Sequence, residues 1–154
     1  MKKAVKIIAI AIAAGFIVLQ FFRIDKTSQP IVQVETLEAA VSVPADVSQI
    51  MVRACNNCHT NSTIFPWYAN VQPVGWFLKG HIDDGHRKLN FSVFNTYTPK
   101  KKAQKLEDVC DQVESKEMPL PSYLWIHSEA VITQSDAKAL CDWAKQEKSK
   151  IVVE

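Results

Sequence analysis

Glycine is scarce in this chain, with four residues among 154, and runs of alternating β-branched residues are short. Hairpin-rich barrels and sandwiches are therefore disfavoured, and the composition leans helical. A strong charge of either sign is also missing. The formal net charge is +2, and no Lys/Arg stripe interleaved with aromatics occurs, so nucleic acid is not expected as a partner. No internal repeat or low-complexity segment breaks the chain. The single Cys-x-x-Cys has no second close pair of cysteines or histidines, which a structural zinc site would need. No nucleophile–base pair or carboxylate dyad stands out, so an independent hydrolytic activity is not expected.

What remains is an ordinary globular composition, 47% hydrophobic and 22% charged, behind a distinct leader. Lys2, Lys3 and Lys6 precede an apolar run from Ile7 to Phe22, broken only by Gln20. The run is about 16 residues, under the ~20 that a membrane-crossing helix needs, but it reads as an export signal. Its small residues lie inside the run, and no small-x-small site follows Phe21-Phe22-Arg23. An uncleaved inner-membrane anchor with the remainder in the periplasm is therefore expected; a cleaved periplasmic form is the alternative. The expected organisation is an anchor over 1–22, a linker over 23–44 and one domain over 45–154. Export places Cys55, Cys58, Cys110 and Cys141 in an oxidising compartment.

The domain reads as all-α. Val47, Ile50, Met51 and Ala54 recur at helical spacing and run into Cys55. Residues 60–73 are rich in breakers yet carry Phe65, Trp67 and Tyr68, so a loop packed against something is expected. Val74–Leu89 reads as a helix despite Gly80 and Gly85, and Phe91–Tyr97 as a short helix or turn. Thr98-Pro99 supplies a cap and a first-turn proline for a helix carrying Leu106 and Cys110. Thr133 caps the last helix, with Asp136 in its first turn and Leu140 and Cys141 on one face. Lys100, Lys101, Lys102 and Lys105 oppose the helix dipole at a helix start. They read as a solvated face, or as docking for an acidic partner.

Cys55-Asn56-Asn57-Cys58-His59 is the informative motif. Two thiols at i and i+3 of a helical turn share a face and reach the two vinyl groups on one edge of a porphyrin. A histidine at i+4 shares that face and directs a ring nitrogen at the iron. A thioredoxin-like redox pair would instead call for a βαβ setting, and the surroundings here are helical. On the opposite side of the iron, Met1 lies in the leader and Met51 precedes the motif by one turn, which leaves Met118. Pro119 and Pro121 hold its segment extended. His81, His86 and His127 are the rival ligands. Trp67, Tyr68, Trp76, Tyr123 and Trp125 are candidates for a sleeve around the porphyrin, with ordinary core packing as the alternative for each.

The chain resembles the bacterial haem-binding domain family, small membrane-attached proteins like c-type cytochromes. The matching stretches are Cys55 to His59, Phe65-Pro66-Trp67-Tyr68 with Pro73, Leu89-Asn90-Phe91-Ser92, Met118-Pro119-Leu120-Pro121-Ser122-Tyr123, and Asp142-Trp143. The resemblance implies a cytochrome c-like haem domain with one covalent haem c per chain, and it supports Met118 by position. Cys110 and Cys141 lie outside that pattern. Each sits on the apolar stripe of its helix, so a disulfide between them is expected.

A His/Met iron with both axial positions filled suits single-electron transfer with a redox protein partner rather than an enzyme. The alternatives are a haem-based sensor or small-ligand binder with a labile distal site, or a weakly peroxidase-like haem.

Overall fold

The computed structural model describes residues 1–152, and among them helices are the only regular structure. Helix α1 spans Lys2–Leu19 and buries none of its residues. A short α2, Leu37–Ala40, precedes α3, Ala45–Ala54, and the single turn α4, Asn56–His59. Helix α5 runs from Val74 to Lys88, α6 from Pro99 to Glu114, α7 from Pro121 to Leu124 and α8 from Gln134 to Lys150. The boundaries follow the caps. Thr98 accepts a hydrogen bond from the Lys101 amide with Pro99 in the first turn. Thr133 and Asp136 form a reciprocal capping box at the start of α8, satisfying amides that a helix start leaves without partners.

Two apolar clusters hold the described residues together. The larger joins Leu37, Val47, Ile50, Met51, Phe91, Phe94, Leu106, Leu140 and Trp143, drawn from α2, α3, α6, α8 and the 3-10 segment Phe91–Thr96. The smaller gathers Tyr68, Ala69, Leu78 and Ile82, with Ile24, Phe65 and Cys58 against it. Helices α6 and α8 pack along each other. Cys110 and Cys141 are joined across them as a disulfide, with Cα atoms 4.6 Å apart.

Two expectations are corrected. The linker over 23–44 is not slack throughout: Leu37 is fully buried, Val41 joins the core, and Trp143 Nε1 donates to the Ser42 carbonyl at 2.8 Å. The segment lacks a helical period because its apolar groups are spaced across short turns, and their cover comes from the far end of the chain. The helix before the motif runs into it as expected and ends there, since Cys55 (φ −121°, ψ −45°) breaks the backbone between α3 and α4. Among the described residues no helix is long and apolar enough to cross a membrane. Lys2, Lys3 and Lys6 lie within α1 itself and shorten its apolar part.

Candidate functional site

The break at Cys55 leaves one tight turn. The Cys55 carbonyl accepts from both the Cys58 amide (3.1 Å) and the His59 amide (3.0 Å), so the two thiols and the imidazole stay one turn apart. All three line a cavity of about 490 Å³ together with Tyr68, His81, Met118, Tyr123 and Trp125. That volume lies within the roughly 300–1,000 Å³ typical of cofactor sites.

The geometry of His59 is specific. Its Nδ1 lies 2.8 Å from the Leu89 carbonyl oxygen. A carbonyl can only accept, so Nδ1 carries the proton and Nε2 keeps its lone pair, as in most metal-bound histidines. Burial above all holds the His59 pKa below its ordinary 6.5. The neighbouring His86 adds to this, while the Leu89 and Gly85 carbonyls oppose it. The ring is therefore neutral, the form that donates to a metal. The residues after Leu89 hold its carbonyl in place. Asn90 Nδ2 donates to Asn61 Oδ1 (2.9 Å), the Ser92 amide to Asn90 Oδ1 (2.9 Å), and the Asn61 amide to Ser92 Oγ (3.0 Å). Phe91 lies beside the imidazole, with ring centroids 5.9 Å apart.

The opposite wall comes from the segment after α6. The Glu117 and Met118 amides both donate to the Gln112 carbonyl, and Lys116 takes positive φ (60°), closing the helix and turning Met118 toward the cavity that it lines. Asn57, inside the motif, reaches across: its Nδ2 donates to Tyr123 Oη at 3.1 Å, and its Oδ1 accepts from the Ile64 amide at 3.2 Å. Asn57 thus ties both walls together. Sequence reasoning gave it no role, because the intervening positions of the motif carry no signal of their own.

Burial sets the protonation states. Burial, with Cys58 adding and Arg53 opposing, pushes the Cys55 thiol up to about 12, and burial also raises Cys58. Tyr68 is pushed up to about 12, chiefly by burial, then by Tyr123, Cys58 and Glu129. Burial likewise raises Tyr123, against the Asn57 hydrogen bond. Both phenols remain O–H donors at neutral pH. Tyr68 Oη lies 2.8 Å from His127 Nε2, and His127 Nδ1 lies 2.8 Å from Glu129 Oε1. The same imidazole stacks on Tyr123 at 4.1 Å.

The rival histidines now separate. His127 has both ring nitrogens engaged, and His86 points Nε2 at the Thr60 carbonyl (2.9 Å); neither lines the cavity. His81 does line it. Trp67 and Trp76 are corrected as sleeve residues. Neither lines the cavity, Trp67 is 75% exposed, and Trp76 Nε1 donates to the Phe22 carbonyl at 2.8 Å. Ring type signals a large apolar surface and not which wall will receive it. Three of the four lysines near the start of α6 have local partners: Lys101 over the Tyr97 ring, Lys102 on Asn95 and Lys105 on Asp108.

Taken together, two thiols, one imidazole lone pair and one thioether line an apolar cavity. They fit a flat apolar cofactor that carries a thiophilic and imidazole-binding metal. A family model described as a haem-binding domain matches residues 14–146 of the chain. No curated protein and no solved structure matches it.

Proposed function

The chain belongs to the haem-binding domain family, and from that premise we propose that it holds one haem c through Cys55 and Cys58 and works as a single-electron carrier. His59 is the proximal ligand and Met118 the distal one. The observation that carries this reading is the His59–Leu89 contact. It fixes the tautomer and leaves Nε2 available within a cavity that both thiols share.

Bound haem supplies a one-electron iron couple. The chain's part is positioning and exclusion of water. Leu89 holds the imidazole ring and strengthens it as a donor. Met118 offers a thioether, which favours the reduced iron and raises the potential. Tyr123, whose oxygen accepts from Asn57, keeps its O–H for a carboxylate group of the cofactor, whereas the Tyr68 hydroxyl is engaged by His127. Were His59 and Met118 both to hold the iron, no site would be left for a substrate, which favours a carrier over an enzyme. His81, on the same cavity, favours the second reading, a ligand binder whose distal site opens.

Attachment to the periplasmic face of an inner membrane is part of this reading. Helix α1 buries none of its residues, and its apolar part follows the lysines of its first turns. The contacts that residues after it make with the domain favour a retained segment over a cleaved one.

The test is chemical. Protein matured with a cytochrome c assembly system is expected to keep one haem through acid–acetone extraction and denaturing electrophoresis, and Cys55→Ala with Cys58→Ala to lose it. A chain isolated from its host with zinc and no haem would overturn the reading. The ferric protein is expected to show the long-wavelength sulfur-to-iron band. Met118→Ala is expected to remove the band and open the ferrous iron to carbon monoxide. If His81→Ala does so in its place, the distal assignment passes to His81.

A further inference from the structure

Four exposed aromatic rings stand outside the cavity where α1 meets the domain. Phe21, Phe22, Trp67 and Trp76 are 81%, 61%, 75% and 40% exposed. None of them lines the cavity, so a bound cofactor does not cover them. We propose that this aromatic collar lies in the lipid interface, seating the domain directly on the bilayer. The inference rests on the reading of α1 as a membrane attachment and adds an orientation to it.

The junction leaves little slack. Gln20 Nε2 donates to the Gln72 carbonyl at 3.1 Å, and the Gln72 amide donates back to Gln20 Oε1 at 2.9 Å. Trp76 Nε1 donates to the Phe22 carbonyl at 2.8 Å. Ile24 then packs into the cluster of Phe65, Tyr68, Leu78 and Ile82, and Lys26 Nζ donates to Asn70 Oδ1 at 2.6 Å. Residues 20–26 thus run along the domain from the end of α1. A helix in the membrane ending at this bracket brings residues 67–76 to the level of the headgroups.

The chemistry of the collar suits that level. The Trp76 N–H is already engaged, so the exposed part of that ring is hydrocarbon. Aromatic rings favour the zone between acyl chains and water. Arg23, directly after Phe22, is exposed, and it stands with Lys26 where anionic headgroups would lie. The single acid among them, Asp25, is turned onto Thr27, whose amide and hydroxyl it accepts at 2.8 and 2.6 Å. The collar also compensates α1, which alone is not long and apolar enough to cross a membrane. Four rings beside its end enlarge the apolar area that lipid can cover. Val74 and Phe77, neighbours of Trp76 on α5, line the cavity, so its rim lies next to this lipid-facing surface.

The experiment uses the full-length holoprotein in vesicles of phosphatidylcholine and phosphatidylglycerol that contain a phospholipid with a diazirine high on its acyl chain. After illumination, lipid adducts are mapped by mass spectrometry. Adducts are expected on α1 and also within 20–26 and 65–77. Trp67→Ser with Trp76→Ser is expected to lower the adducts in 65–77 several-fold and to leave those on α1. Adducts confined to α1 would overturn the collar and leave the attachment standing. In a parallel sample treated with a bifunctional photo-reactive cross-linker, links between two copies of the chain at 65–77 would assign the collar to a protein interface and overturn the proposal. No adduct anywhere would overturn both the collar and the membrane reading on which it rests.

Discussion

A missing Cβ decides how closely α5 approaches the cysteine motif. A methyl group built at Gly85 would sit 2.4 Å from the Cys58 carbonyl oxygen, whereas one at Gly80, on the same helix, would meet nothing within 4 Å. The contact at Gly85 is with backbone, which cannot swing away. Gly85→Ala is expected to destabilise the holoprotein by about 1–3 kcal/mol. Gly80→Ala is expected to be neutral or to stabilise by about 0.5–1 kcal/mol, as alanine does in an open helix position. Urea midpoints of the two variants check this, and equal midpoints would refute the close approach. The contrast was not legible beforehand. Both glycines simply weakened a helical pattern, because close approach depends on a partner that lies remote in sequence. The motif residues were legible, since a turn of backbone brings them together without distant help.

Local chemistry also made the helix starts readable. Thr98-Pro99 and Thr133 with Asp136 carry their caps within four residues, and the structure has them there. The segment around Leu37 was unreadable for the opposite reason, since its cover includes Trp143, more than a hundred residues away. The start of α8 bears a further load that only tertiary structure supplies. Asp136 Oδ2 accepts from the Thr133 amide (2.9 Å), the Thr133 hydroxyl (2.8 Å) and Arg53 Nη2 (2.5 Å). These contacts, the Thr133 amide foremost, hold the Asp136 carboxyl below its ordinary 3.8. A carboxylate depressed in the folded state stabilises above its unfolded pKa, and that contribution disappears as pH falls through the lower folded value. Asp136→Ala is therefore expected to cost about 1–2 kcal/mol at neutral pH. The gap from the parent protein should narrow once pH drops below about 4, where the unfolded chain begins to take up the proton. Chemical denaturation at pH 7 and pH 3 measures it, and a gap independent of pH would contradict the ionised cap.

Across the whole molecule, the bridge and the cavity occupy different parts. No residue of α6 or α8 is among those that line the cavity, and Cys110–Cys141 joins these two helices over a separation of 31 residues. A loop of that length is worth roughly 3–4 kcal/mol in the chain-entropy model. Cys110→Ala with Cys141→Ala is expected to lower the unfolding free energy by about that amount and to leave the haem absorption spectrum unchanged. A shifted spectrum would show that α6 and α8 shape the site. The same separation bears on how the protein matures. Thiol–disulfide exchange requires the attacking thiolate to reach a sulfur atom. Both bridge cysteines are buried, while Cys55 and Cys58 are only partly covered and line the cavity. If the four thiols oxidise on export, a reductant has access to the motif pair and not to the bridge, so one pair can be prepared for haem while the other stays closed.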